Sequence, residues 1–83
     1  MPLLVFSDHA RAQLKERQLS EDMIVDAVEN PDKIVAQNAN RYRIIKIIYK
    51  NGKQFLLIVV YDHISERIEV VTAFLTTKFK KYL

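Results

Sequence analysis

Seven consecutive apolar residues, Phe55-Leu56-Leu57-Ile58-Val59-Val60-Tyr61, follow shortly after an Asn51-Gly52 pair. Side chains alternate between the two faces of a strand, so a strand apolar at every position needs cover on both sides. Asn-Gly is the strongest short hairpin signal, because both central residues of the favoured turn require positive φ. The segment before it, Arg41 to Tyr49, is rich in β-branched and aromatic residues. The pattern predicts a hairpin whose second strand lies centrally in a sheet with layers on both faces. The run is strand-length, far below the ~20 residues that a membrane-spanning helix requires. With 83 residues, the chain has room for a single domain over 1–83. Its apolar fraction of 49% is enough for a core and argues against disorder.

Upstream the periodicity is helical. Ser7 can cap a helix over 8–18, with Phe6 as the apolar residue before the cap. Phe6, Ala10 and Leu14 then fall within an arc of roughly 80°. Arg17 falls in the same arc, where a guanidinium needs a carboxylate, a carbonyl or a ligand phosphate. Ser20 caps a second helix over 21–30, with Glu21 and Asp22 complementing its dipole. Asn30-Pro31 stops it. From Lys33 the period becomes that of strands, through Ile34-Val35-Ala36, Arg41 to Tyr49, Phe55 to Tyr61 and Arg67 to Leu75. The expected fold is α+β, two N-terminal helices packed on a four-stranded antiparallel sheet spanning about 33–75. The apolar start of the chain leaves room for an extra N-terminal strand.

Charge is unevenly placed. Residues 1–32 carry three Lys or Arg against seven acids, a net −4, whereas residues 33–83 carry ten against three, a net +7. A basic half of this kind suits an anionic partner, although solvated strand edges and a charged tail would account for it too. There is no cysteine, so disulfides and thiolate ligands are excluded. Met1 to Phe6 is apolar but lacks a basic start, so no signal peptide is expected and the chain reads as cytoplasmic.

Metal chemistry has little to build on: His9 and His63 are the two histidines, and neither has a second ligand at helical or hairpin spacing. Asp62-His63 reads as a turn. Neither a nucleophile elbow nor a phosphate-cradling glycine loop is present. The remaining residues suit acid–base chemistry beside cations. RNA can be cut without metal or cofactor when a base takes the 2′-hydroxyl proton and cations stabilise the phosphorane. His9 is the natural acid–base group, or else a helix-start histidine packing on the sheet. Arg41 and Arg43 share one strand face and Lys46 points to the other. Lys78, Lys80, Lys81 and Tyr82 follow the last strand, interleaving cations with an aromatic as phosphate contact and base stacking require. A solvated basic tail explains the same residues. Thr72 is polar within an apolar strand, as an internally bonded hydroxyl or as a phosphate or ribose contact.

Phe6-Ser7-x-His9-Ala10, Glu16-Arg17-x-Leu19-Ser20, Asn30-Pro31, Val71-Thr72-Ala73 and the Lys80-Lys81-Tyr82 ending together resemble a small bacterial domain-of-unknown-function family. That family is allied to the RelE/ParE toxin superfamily, near the BrnT-type toxins. The resemblance implies a compact fold of the microbial ribonuclease type. It also implies the toxin of a type II toxin–antitoxin pair, acting on mRNA, on the ribosome or free, and silenced by a cognate antitoxin. ParE-like members attack gyrase instead. The resemblance puts the family's histidine at His9, its helix arginine at Arg17, its threonine at Thr72 and its basic aromatic tail at Lys78 to Tyr82. The acidic helical half departs from the more cationic ribosome-dependent toxins. The combined expectation is a metal-independent RNA endonuclease with His9, Arg17, Lys46 and Tyr82 as catalytic groups. Arg41, Arg43, Thr72, Lys78, Lys80 and Lys81 would bind RNA, and a homodimer is allowed. The alternatives are a non-catalytic module of the same fold that blocks a protein target, and an inactive family member.

Overall fold

A computed structural model describes residues 3–83. Five strands form one sheet: β1 (Leu3–Phe6), β2 (Lys33–Ala36), β3 (Arg41–Lys50), β4 (Lys53–Ile64) and β5 (Arg67–Thr76). Three helices accompany them, α1 (Asp8–Glu16), α2 (Glu21–Glu29) and α3 (Phe79–Tyr82). The order across the sheet is β1-β5-β4-β3-β2. The chain therefore starts at one edge, crosses through α1 and α2 to the other edge, and meanders back to β1. β1 runs parallel to β5, with Leu3 opposite Arg67 and Phe6 opposite Val70, while the remaining pairs are antiparallel.

This arrangement corrects the expected two helices on a four-stranded antiparallel sheet. The sheet is mixed and five-stranded, and a third helix is present. Both additions have apolar causes. Leu3 to Phe6 covers part of the β5 edge that would otherwise be bare. Phe79 and Tyr82, three apart, fold the basic tail into one helical turn that lies on the sheet.

Capping fixes the helices. Ser7 Oγ accepts from the Ala10 amide at 3.0 Å, and Ser20 Oγ from the Met23 amide at 3.2 Å. The end of α1 is a Schellman motif. The Leu19 amide donates to the Leu14 carbonyl at 2.8 Å and the Gln18 amide to that of Lys15 at 3.2 Å. Leu14 and Leu19 meet in the core, and Gln18 holds φ 58° where glycine is the usual residue. At the β3–β4 turn Asn51 and Gly52 both have positive φ, 53° and 77°.

The two faces of the sheet carry separate cores. Ile44, Leu57, Val59, Tyr61, Ile68, Val70 and Ala73 pack under Ala10, Leu14, Ile24 and Ala27 of the two long helices. On the opposite face Ile45, Leu56 and Ile58 lie under Phe74, Phe79 and Tyr82. Leu56 to Val59 are thus sealed from both sides. No helix among the described residues is long and apolar enough to cross a membrane.

Candidate functional site at the corner of α1 and β5

β1 ends opposite Val70, and the register of β5 against β4 shifts at once. Val60 faces Thr72 while Tyr61 faces Val70, leaving Val71 as the extra, bulged residue. Among the described residues the outer edge of β5 has no strand partner from here on, and α1 runs beside it. His9, Gln13 and Arg17, each four residues from the next, present one stripe of polar groups to that edge.

Those groups form a continuous chain. Arg17 Nη1 donates to the Ala73 carbonyl at 2.7 Å, to Thr72 Oγ1 at 3.1 Å and, more distantly, to Gln13 Oε1 at 3.4 Å. Thr72 Oγ1 donates in turn to Gln13 Oε1 at 2.6 Å. With its oxygen committed to these donors, the Gln13 amide must turn its NH₂ outward, and Nε2 meets His9 Nε2 at 2.9 Å. His9 Nε2 is therefore the acceptor, and in the neutral ring the proton sits on Nδ1. The bonds named for Arg17 use Nη1 alone, so Nη2 and Nε are left for a further acceptor. The corner offers cationic and neutral donors converging at an exposed edge, next to an imidazole of fixed tautomer.

The sequence placed Arg17 in the buried arc; it is instead exposed, at the C-cap of α1, and its partners are a carbonyl and a hydroxyl. Sequence reasoning missed Gln13, although its place midway between His9 and Arg17 was a usable signal.

The other expected site residues lie elsewhere. Lys46 is on the helix-facing side of β3, and its Nζ donates to the Asn30 carbonyl at 2.7 Å, at the end of α2. β4 lies between its strand and the α1 corner, and its ammonium is engaged at the end of α2, so the structure does not join it to His9. Arg41 is held by Asp62 in a bidentate pair, Nε to Oδ1 at 2.7 Å and Nη2 to Oδ2 at 2.9 Å. Hydrogen bonding from Arg41 holds the Asp62 carboxyl below its ordinary range, and burial only partly opposes this. The same bond raises the Arg41 guanidinium. Its charge is thus matched within the protein.

Tyr82 is half-buried, edge-on to Phe74 with ring centroids 6.0 Å apart. The Arg43 guanidinium carbon and Lys81 Nζ each lie 5.4 Å from its ring centre. The ring is already occupied by protein groups, so base stacking on it requires their displacement. Lys78 and Lys80 are exposed beside it. The structure therefore brings the expected residues together in two groups, His9, Arg17 and Thr72 at the α1 corner and Arg43, Lys81 and Tyr82 where α3 meets the sheet, and leaves Lys46 and Arg41 apart from both. An open groove lined by Lys50, Asn51, Lys53, Phe55 and Leu75 flanks the hairpin tip and contains none of them. No group of three His, Cys, Asp or Glu side chains converges among the described residues.

Fold and site together define a small mixed-sheet domain with a polar relay at one bare strand edge. The chain belongs to the family described as domain of unknown function DUF4258, whose model matches residues 6–79. That match carries no link to the RelE/ParE or BrnT toxins. Neither the comparison with curated proteins nor that with solved structures returns a match.

Proposed function

We propose that this domain is a metal-independent RNA endonuclease, related in activity to the RelE/ParE-type toxins, with its reacting centre at the α1–β5 corner. The observation that carries the reading is the unbroken relay from Arg17 and Thr72 through Gln13 to His9. It supplies the two things that metal-free cleavage asks of a protein, an imidazole in a fixed orientation and a cation with donors to spare. The substrate 2′-hydroxyl displaces the Gln13 amide and gives its proton to His9 Nε2. The 2′-oxygen bonds to phosphorus, Arg17 Nη2 and Nε stabilise the phosphorane oxygens, and the P–O5′ bond breaks. The 5′-oxygen takes a proton from solvent, and His9 returns its own to solvent. The products are a 2′,3′-cyclic phosphate and a 5′-hydroxyl end. A cognate antitoxin with an acidic, amphipathic segment would silence the domain by competing for the same cations.

A second reading, a non-catalytic module that blocks a protein target, draws on one observation: His9 Nε2, the basic nitrogen, is occupied by Gln13. Incubation of the purified protein with single-stranded RNA in EDTA separates the two. Catalysis predicts cyclic phosphate ends and a loss of roughly 10²–10⁴-fold in rate for His9→Ala with the fold intact. Intact RNA, both free and on translating ribosomes, would remove the nuclease reading and leave the binding module.

A further inference from the structure

The Nε of Arg43 is the one buried side-chain nitrogen or oxygen without a hydrogen-bond partner among the described residues. Its setting makes this unusual. Its neighbour two residues along the strand, Arg41, has a carboxylate in bidentate contact, but both oxygens of Asp62 are spent there. Glu69, opposite Asp62 on β5, lies beside Arg67 at 3.8 Å. Arg43 is left with the π-face of Tyr82 as its compensation, and Lys81 shares that ring. Two cations thus crowd one aromatic side chain, and among the described residues neither forms a salt bridge with an acid. The Nε edge is sealed and the residue is half-buried, so the Nη end is the part an outside group can reach.

The position of Arg43 in the sheet tells what that group is. Arg43 is in register with Val60, and Val60 with Thr72, so the three form one row running from the α1 corner across β4. Two strand spacings, about 9.5 Å, separate the backbones of Thr72 and Arg43. A single strand of RNA whose reacting phosphate sits at Arg17 and Thr72 can follow this row onto the α3 face within a short oligonucleotide. An acidic protein segment could compete for the same cations, but it carries no reacting phosphate to fix where the row begins.

We infer that Arg43, with Lys81 beside it, is a phosphate subsite for the RNA strand engaged at the α1–β5 corner, taking the anion end-on at Nη. Tyr82 is a positioning residue that holds the guanidinium near its ring and helps to keep water from the buried Nε. This rests on the RNA reading above, and it reassigns Tyr82 from stacking a base to orienting a cation.

The test is binding of a fluorescent 2′-O-methyl oligonucleotide, which cannot be cleaved because its nucleophile is blocked. Arg43→Gln should weaken binding by about tenfold and lower the salt slope, log affinity against log salt, by about 0.7, because one phosphate is no longer neutralised. Arg43→Lys should restore part of the affinity, since it keeps charge and loses the planar fork. In the wild-type protein the Arg43 Nε–H resonance should shift as the oligonucleotide is added, and Tyr82→Leu should make that proton exchange faster. If Arg43→Gln binds as tightly as wild type with the same slope, while wild type cleaves RNA, the subsite is wrong and the nuclease reading stands. If binding depends on Arg43 but no RNA is cut, the subsite stands and catalysis falls. Arg43-dependent binding of a poly-glutamate peptide without binding of the oligonucleotide would overturn the inference.

Discussion

Replacing Arg17 should weaken the fold as well as the site, and the structure sets the size of the effect. Arg17→Met keeps the aliphatic stem and removes the guanidinium. The Ala73 carbonyl then loses its charged donor, a 2.7 Å partly buried hydrogen bond on a strand edge without a neighbouring strand. Hydrogen bonds from charged donors contribute about 1.5–3 kcal/mol when sheltered. This one is partly open to water, and the bonds to Thr72 and Gln13 are exposed, so the lower end applies and a cost of ~1–1.5 kcal/mol is expected. For a domain of this size that corresponds to a fall in Tm of roughly 4–12 °C. Thr72→Val should cost less on its own, about 0.5–1 kcal/mol, because water can replace its partners. The two changes should not add: a double-mutant cycle by urea denaturation should show coupling of about 0.5–1 kcal/mol, as expected for side chains in one network. Independent effects, or a loss below ~0.3 kcal/mol for Arg17→Met, would refute the claim that Arg17 closes the β5 edge; that threshold is set by the limit within which independent sites add.

Gln18→Gly should stabilise the protein by about 0.5–1 kcal/mol, since a side chain at φ 58° carries a steric cost that glycine lacks; calorimetry showing a lower Tm would count against the assignment of the Schellman turn. Stability should also depend on acid through Asp62, whose folded pKa lies below its ordinary 3.8. Its contribution is complete above that value and is lost as pH falls through the lower, folded one. Asp62→Asn should therefore flatten the acid limb of a stability–pH curve below about pH 4 and lower the plateau above it; an unchanged acid limb would show that the Arg41 pair contributes nothing.

What could be read from the sequence is what depends on neighbours in the chain. Ser7 and Ser20 announce their caps within four residues, and Asn51-Gly52 announces its turn. Arg41, Arg43 and Lys46 sort onto opposite faces by strand alternation alone. What could not be read depends on distant partners. The parallel pairing of Leu3 with Arg67 leaves no periodic trace, because a short apolar strand looks the same beside any neighbour. The relay joins Thr72 to Gln13 across 59 residues, beside a bulge at Val71 that no local pattern announces. Charge alone groups Lys46 with His9, yet its Nζ is at the Asn30 carbonyl, where a cation suits the end of α2. Phe79 and Tyr82 stood in view at helical spacing, but the lysines around them suggested a solvated tail.

The crossing of the chain from one sheet edge to the other also fixes when the molecule can be complete. Thr72 lies 59 residues from Gln13 and 55 from Arg17, and β1 waits for the same strand. Closing loops of that length is slow and must precede the contacts that reward it. During synthesis α1 and α2 emerge early with no sheet beneath them, and the hairpin of β3 and β4 comes next. The emergence of β5 then supplies the partner of β1, the acceptor for Arg17 and the hydroxyl that orients Gln13 in a single step. A growing chain therefore carries no half-built corner: the sheet closes and the relay appears together, late, with the last strand.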